Sequence, residues 1–333
     1  MTEPIATLEA LEACVGTAAL ATRMKIIDHL DGAARDWIGA SPLAFAGFAA
    51  ASGPRLTLAG GAAGFAAAID ATRLSLPRAS LDDAAAAEAG QGVGLLFLVP
   101  GAGETLRVNG RVAAAGGEAV EIAVEECFLH CAKALIRSDF WSAAPRDDVP
   151  EEAAAFLAAS RFLALATADA EGCADVSPKG DPAGSLIRLQ DGVASLAERP
   201  GNKLAFGYRN MIACPAVAAL ALVPGSTRIA VVSGKARLTT DEAVRQAFAV
   251  DGKAPILATM IGEAAPEIRT SAALERAALW PLTDAAAIDP AAVLVAHVKL
   301  NKAKGEAANA IRAGVSREGV AAGLEQSYRT KLY

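Results

Sequence analysis

The chain has 333 residues, a net charge of −6, and a composition that is 53% hydrophobic and 20% charged. It is long for one core and comfortable for two domains of about 150 residues each. The acidic balance and the lack of a basic stripe argue against a nucleic-acid partner, and no apolar run approaches the roughly 20 residues that cross a bilayer.

In chain order, residues 1–40 read as two helices, with Ile26, Ile27, Leu30, Ala34, Trp37 and Ile38 on one apolar face. From Pro42 to Arg111 the pattern changes to short apolar runs broken by Gly and Pro. Leu43–Ala50, Arg55–Ala59, Gly64–Ile69, Arg73–Leu76, Val93–Val99 and Thr105–Asn109 are strand candidates, as is Val120–Glu125. Strands this short and close suggest an antiparallel barrel or sandwich. Cys127–Ser138 reads as a loop and then a helical turn. Pro145–Pro150 is polar and proline-bounded, which places a domain boundary there, giving units 1–145 and 146–333. Asp148 and Glu151 resemble a capping box for a helix through Ala159. Strand patterns resume at Phe162–Ala168, Ala174–Ser177, Ser185–Leu189, Val193–Ala197, Val217–Val223 and Arg228–Gly234. A helix is expected at about Asp241–Val250, a last strand at Leu294–Leu300, and a helical tail packed on the outside.

The five cysteines (Cys14, Cys127, Cys131, Cys173 and Cys214) are an odd number without framework spacing, and no export signal opens the chain. Free thiols in a reducing cytoplasm are expected. Cys127, His130 and Cys131 lack a second ligand pair, so no metal site is expected. Cys173 reads as a small buried residue rather than a nucleophile.

Chemistry concentrates in two stretches. Asp175-Val-Ser-Pro-Lys-Gly-Asp181 reads as a strand entering a Pro-Gly turn, with Ser177 and Lys179 on the turn. Arg199-Pro-Gly-Asn-Lys203 is a loop that opens a helix from about Leu204 to Cys214. Loop amides, a helix N-terminus and several cations suit an anion, with Arg gripping phosphate as a fork and Lys as a point charge. These stretches, with Val93–Gly101, Glu104–Arg111 and Phe128–Trp141, resemble the pyridoxamine 5'-phosphate oxidase-like, FMN-binding split-barrel flavoproteins. The likeness reaches from the first strands to Trp280.

The two halves also read as copies of one unit. Ser41-Pro-Leu-Ala-Phe45 aligns with Ser160-Arg-Phe-Leu-Ala164, Val99-Pro-Gly101 with Val223-Pro-Gly225, and Trp141 with Trp280, at offsets of 119, 124 and 139. Their wear is complementary. Lys179 faces Ala59, and Asn202 and Lys203 face Asp82 and Asp83, so the anion motifs survive only in the second copy. Arg107 faces Val231 and Lys133 faces Ala272, while Arg137 keeps its charge as Arg276.

The resemblance implies two-fold dimers with FMN between barrels, each site drawing on both subunits. The expectation here is therefore a β-rich α+β chain: two tandem split barrels forming an intramolecular pseudo-dimer with one composite FMN site. By that resemblance Arg199 and Lys203 bind the phosphate, with Ser177, Lys179 and Asn202 nearby. The main chain at Asp175 and Val176 lies along the ring, and Arg107, Lys133, Arg137 and Trp141 come from the other barrel. The implied activity is an FMN-dependent oxidoreductase acting on a small-molecule substrate or nicotinamide donor. A haem- or deazaflavin-binding member of the fold, or a non-catalytic flavin-binding or redox-sensing module, is the alternative. With the two-fold interface satisfied inside one chain, a monomer or a homodimer follows.

Overall fold

The computed structural model describes residues 4–333. The first unit contributes β1 (Leu43–Ala50), β2 (Gly53–Gly60), β3 (Ala67–Ala68), β4 (Arg73–Pro77), β5 (Gly92–Leu98), β6 (Thr105–Ala114) and β7 (Ala119–His130). The second contributes β8 (Phe162–Ala168), β9 (Ala174–Gly180), β10 (Ile187–Gln190), β11 (Val193–Glu198), β12 (Ala216–Leu222), β13 (Arg228–Thr239), β14 (Leu257–Gly262) and β15 (Glu267–Thr270). The sheets run β2-β1-β5-β6-β7-β4-β3 and β9-β8-β12-β13-β14-β11-β10, with β15 beside β13. Read in the same direction, the two orders are one topology. The fold is two tandem antiparallel split barrels.

Register makes the repeat exact at residue level. Leu43 pairs with Gly60 and Leu98, and Phe162 pairs with Gly180 and Leu222. Leu96 pairs with Arg107, and Leu220 with Val231. Arg107 then pairs with Phe128, and Val231 with Glu267. Arg107 and Val231 are therefore structural equivalents, as are Ala59 and Lys179.

The long apolar runs bury both faces of their strands. Along β1, Ala44, Ala46 and Phe48 enter the first barrel's core, while Leu43 and Phe45 enter a separate core between the barrels. From the second barrel, Phe162, Ala164, Val176, Leu220 and Leu222 meet them there. Each fully buried Leu or Phe stabilises this contact by about 1.5–3 kcal/mol. Phe140 packs on Phe162, Trp141 and Trp280 at 5.1, 4.8 and 5.0 Å between ring centroids, sealing one end.

Helices complete each unit, and here the sequence reading needs correction. The first forty residues hold α1 (Leu8–Val15), α2 (Leu20–Arg23) and α3 (Gly32–Ala40), one helix more than expected. α4 (Lys133–Arg137) is the helical turn anticipated after the seventh strand. α5 (Ala153–Ala159) is capped by the Glu152 carboxylate rather than by Asp148. α6 (Phe206–Ala213), α7 (Glu242–Gln246) and α8 (Ala272–Ala277) follow. Residues 290–300 form helix α9 (Pro290–Leu300), not a strand. Asp289 accepts hydrogen bonds from Ala291 and Ala292, and Pro290 fits the first turn, a start signal that outweighs the Leu/Val alternation. α10 (Glu306–Gly314) and α11 (Arg317–Thr330) end the chain's regular structure. β14 and β15 had no counterpart in the sequence reading.

The flanking segments cross over. Leu11 of α1 lies in the second barrel's core and Ile5 bridges to Leu238, whereas Val293 of α9 lies in the first barrel's core. No helix among the described residues is long and apolar enough to cross a membrane.

Candidate functional site

β9 is an edge strand and runs straight through Pro178, so Ser177 and Lys179 sit on a strand rather than on the expected turn. Proline is tolerated there because an edge strand needs no ladder donor on its outer side. The strand end, the 199–205 loop, α6 and the first unit's α4 enclose a cleft of about 290 Å³. Eight of the predicted residues line it: Ser177, Lys179, Arg199, Asn202 and Lys203 from the second unit, and Arg107, Lys133 and Arg137 from the first.

Asp175, Val176 and Trp141 are not among its lining residues. Val176 is fully buried between the barrels. Trp141 packs in the same core and donates its indole N–H to the Ala102 carbonyl at 2.7 Å. Asp175 is buried in an ion pair with Arg107 across the barrel interface, and Ser177 Oγ joins them, 3.0 Å from Asp175 and 3.1 Å from Arg107.

The cations divide into two groups. Lys179 is 2.6 Å from the buried Glu198 carboxylate, which also accepts from Tyr208 at 2.8 Å and Thr259 at 2.7 Å. Arg199 directs Nε at Asp181, 2.9 Å away, and its remaining nitrogens donate to the carbonyls of Lys253 and Phe248. Burial pushes the Asp181 carboxyl up to about 6, against the pull of Arg199 and Arg137. Lys133, Arg137 and Lys203 have no carboxylate partner among the described residues. Burial lowers the pKa of Lys133 and of Arg137.

Asn202 Nδ2 and Arg107 Nε are buried and without a hydrogen-bond partner among the described residues, which is a costly state for a polar group. Asn202 spends its oxygen on the Leu204 amide at 3.0 Å, and Lys203 and Ala205 take left-handed backbone angles, φ 62° and 59°. A loop held in this way presents side chains at fixed positions.

Several cleft residues carried no sequence signal. Glu198 and Tyr208 lie in apolar or helical text, and Cys14 and Val15 arrive from α1 through the crossover. His130 and Cys131 also line the cleft; burial, then the charges of Arg107 and Lys25, depress the His130 pKa. Lys25 lies buried 5.7 Å from the Phe128 ring, and burial brings its pKa down to about 8.

At the pseudo-symmetric position the equivalent groups are tied to the protein itself. Asp82 accepts from Ser271 Oγ at 2.5 Å and from the Ala273 amide at 2.7 Å, capping α8. Arg276, the equivalent of Arg137, donates to the carbonyls of Gly60 and Ser80 at 3.0 and 2.8 Å.

The family described as Pyridoxamine 5'-phosphate oxidase matches residues 149–280. The match lies within the second unit. The match covers the strands that carry Ser177 and Lys179 and the loop that carries Arg199 to Lys203. No curated protein matches the chain. Solved structures similar to it include HupZ of Group A Streptococcus, at 17% identity, covering 36% of this chain and 99% of that one, with a TM-score of 0.29. An F420 reductase is 19% identical, covering 36% of this chain and 98% of that one, with a TM-score of 0.27. General Stress Protein 26 from Bacillus anthracis str. Sterne is 14% identical, covering 33% and 89%, with a TM-score of 0.24.

Proposed function

We propose that the chain binds one FMN in the cleft between its barrels and acts as an FMN-dependent oxidoreductase on a small molecule. The observation that carries this reading is the convergence of six basic side chains from both units on one cleft, against two lining carboxylates, Glu198 and Asp181. An excess of positive charge with buried, unpartnered donors suits a phosphate and polar ring edges. The match of residues 149–280 to the family described as Pyridoxamine 5'-phosphate oxidase supports a flavin in preference to other anions.

The residues divide their work by what already engages them. Lys133, Arg137 and Lys203, free of carboxylates, would hold the phosphate. Arg199, saturated by Asp181 and two carbonyls, positions the loop that presents Asn202 and Lys203. Arg107 would aim its unpartnered Nε at a ring or ribityl oxygen while Asp175 fixes its orientation. When bound, FMN supplies hydride and electron transfer, which no side chain here can replace. The protein's own contribution is binding, orientation and a positive field that favours an electron-rich ligand.

The test is stoichiometry. Absorbance of the purified protein and titration with FMN under fluorescence quenching should give one FMN per chain. Arg137→Ala and Lys203→Ala should each weaken it about 10- to 100-fold, the effect of losing one charge-assisted hydrogen bond. Two FMN per chain would refute the single composite site, and none would refute the cofactor. Bleaching of the bound flavin by NADH or NADPH, followed by reoxidation in air, would establish turnover; flavin that no donor reduces would refute the oxidoreductase half.

A further inference from the structure

Residues 331–333 reach three of the cations that line the cleft instead of packing on the outside. Beyond α11, the Lys331 carbonyl accepts from Lys133 Nζ, and the Leu332 carbonyl accepts from Arg137 Nε at 2.7 Å. The Tyr333 ring lies 5.6 Å from the Arg137 guanidinium and 5.2 Å from that of Arg199. The segment is rooted one turn earlier. Tyr328 donates its hydroxyl to Glu104 at 2.5 Å and accepts from the Ala132 amide at 3.2 Å. Ala132 immediately precedes α4, so the root and the contacts grip the same element.

The chemistry of these contacts is that of a ligand. Two of the three cations that lack a carboxylate are met by backbone carbonyl oxygens, neutral acceptors that an anionic ligand would outcompete. A planar aromatic ring lies beside two guanidiniums, as a flat ligand would. Yet the segment is lightly held. Residues 331–333 form no helix or strand, Lys331 is exposed, and Leu332 and Tyr333 are only half-buried. Segments with few buried apolar contacts open at low free energy.

We infer that Tyr328–Tyr333 is a built-in plug at the margin of the cleft: the carbonyls and ring of residues 331–333 take contacts on Lys133, Arg137 and Arg199 that a planar, oxygen-rich ligand would take, and a true ligand must displace them to engage Lys133 and Arg137 fully. The inference rests on the proposed function only for the choice of FMN as probe. Tyr328 and Glu104 keep the displaced segment tethered, so release is reversible and local. Because the competent, open state is only a fraction of the population, apparent affinity is reduced by that fraction.

The test compares the full chain with one lacking residues 331–333, and with Tyr333→Ala, which removes the ring but keeps both carbonyls. Each is titrated with FMN by fluorescence quenching and with inorganic pyrophosphate by calorimetry. Removal of residues 331–333 should tighten FMN binding about tenfold or more, mainly through faster association, with Tyr333→Ala in between. In the full chain, saturating FMN should raise amide exchange across residues 326–333. Unchanged or weaker FMN binding after the deletion would overturn the plug and make the segment a wall of the site. If neither protein binds FMN but the shortened one binds pyrophosphate more tightly, the plug stands and the flavin reading falls. If neither probe binds either protein, both fall.

Discussion

Gly180→Ala separates the barrel contact from the site it supports. A Cβ at Gly180 would lie 1.9 Å from the Ala134 carbonyl oxygen and 2.7 Å from its carbon. Non-bonded contacts under 3.0 Å are essentially never seen for a Cβ, so α4 must retreat by about 1.1 Å from β9. Both partners are backbone, and no rotamer change can relieve the clash. Overpacking of this kind costs about 1–3 kcal/mol. The displaced helix carries Lys133 and Arg137, and an error near 1 Å in a positioned charge is felt strongly by a ligand. The pseudo-symmetric Gly60→Ala is the internal control: its Cβ would lie 2.2 Å from the Ala273 oxygen and push on α8, which carries neither Lys133 nor Arg137 and is capped by Asp82. Urea unfolding should therefore show a similar loss for both variants. FMN titration should show a weakening of about tenfold or more for Gly180→Ala and none for Gly60→Ala. Equal effects on FMN, or wild-type affinity in Gly180→Ala, would refute the assignment of the site to the α4 side.

Arg107→Ala leaves the buried Asp175 charge without its partner and should lower unfolding free energy by about 3–5 kcal/mol in urea titrations. The double variant Arg107→Met/Asp175→Leu should recover most of that stability, since replacing both members of a buried pair is often neutral. Asp181 gives a pH signature. Its folded pKa, raised from 3.8 to about 6, means the folded protein holds that proton more tightly than the unfolded chain. This contribution is present at acid pH and lost as pH rises through about 6. Relative to Asp181→Asn, wild-type stability should fall by up to roughly 3 kcal/mol across that interval, and parallel pH profiles would contradict it. Asp82→Ala removes the two hydrogen bonds that cap α8 and should cost about 1–2 kcal/mol while FMN stoichiometry stays at one. A second FMN in that variant would show that Asp82 alone closes the mate position.

What the sequence made legible was periodicity and repetition. The short apolar runs Leu43–Ala50 and Phe162–Ala168 marked both strands, and the paired Val-Pro-Gly turns fixed the alignment that the registers of Gly60, Gly180, Arg107 and Val231 reproduce. The convergence of Lys133, Arg137, Lys179 and Lys203 follows from that alignment. Pairings between distant segments were not legible. Nothing local to Arg199 announces that Asp181 and the carbonyls of Phe248 and Lys253 engage it, and nothing near Glu198 announces Lys179. Trp141 was misplaced because both tryptophans of the repeat serve the barrel contact, where an indole needs one carbonyl and a large apolar surface. Leu294–Leu300 was misread because Val and Leu alternate there, although the stronger signal, Asp289-Pro290, stood just upstream. The short β15, Glu267–Thr270, has mixed polar residues at the sheet's margin and no alternation to detect.

The core between the barrels would allow one site to decay while its mate persists. Leu43, Phe45, Leu96, Phe162, Leu220 and Leu222 form an apolar contact between the two sheets in which Lys179 takes no part. In a dimer of separate chains, losing Lys179 would remove it from both sites at once. Within one chain the equivalent positions mutate independently, and the barrel contact survives either loss. The closed position then becomes structural: Asp82, Arg276 and Ser271 tie α8 to the first barrel with the hydrogen bonds a ligand would otherwise have satisfied. The same arrangement frees the crossed flanking segments for new roles. α1 walls the cleft with Cys14 and Val15, and the chain beyond α11 contacts Lys133 and Arg137, two of its lining cations. Neither segment belongs to the repeat, so any property special to this cleft, including its access, is expected to reside in them rather than in the barrels.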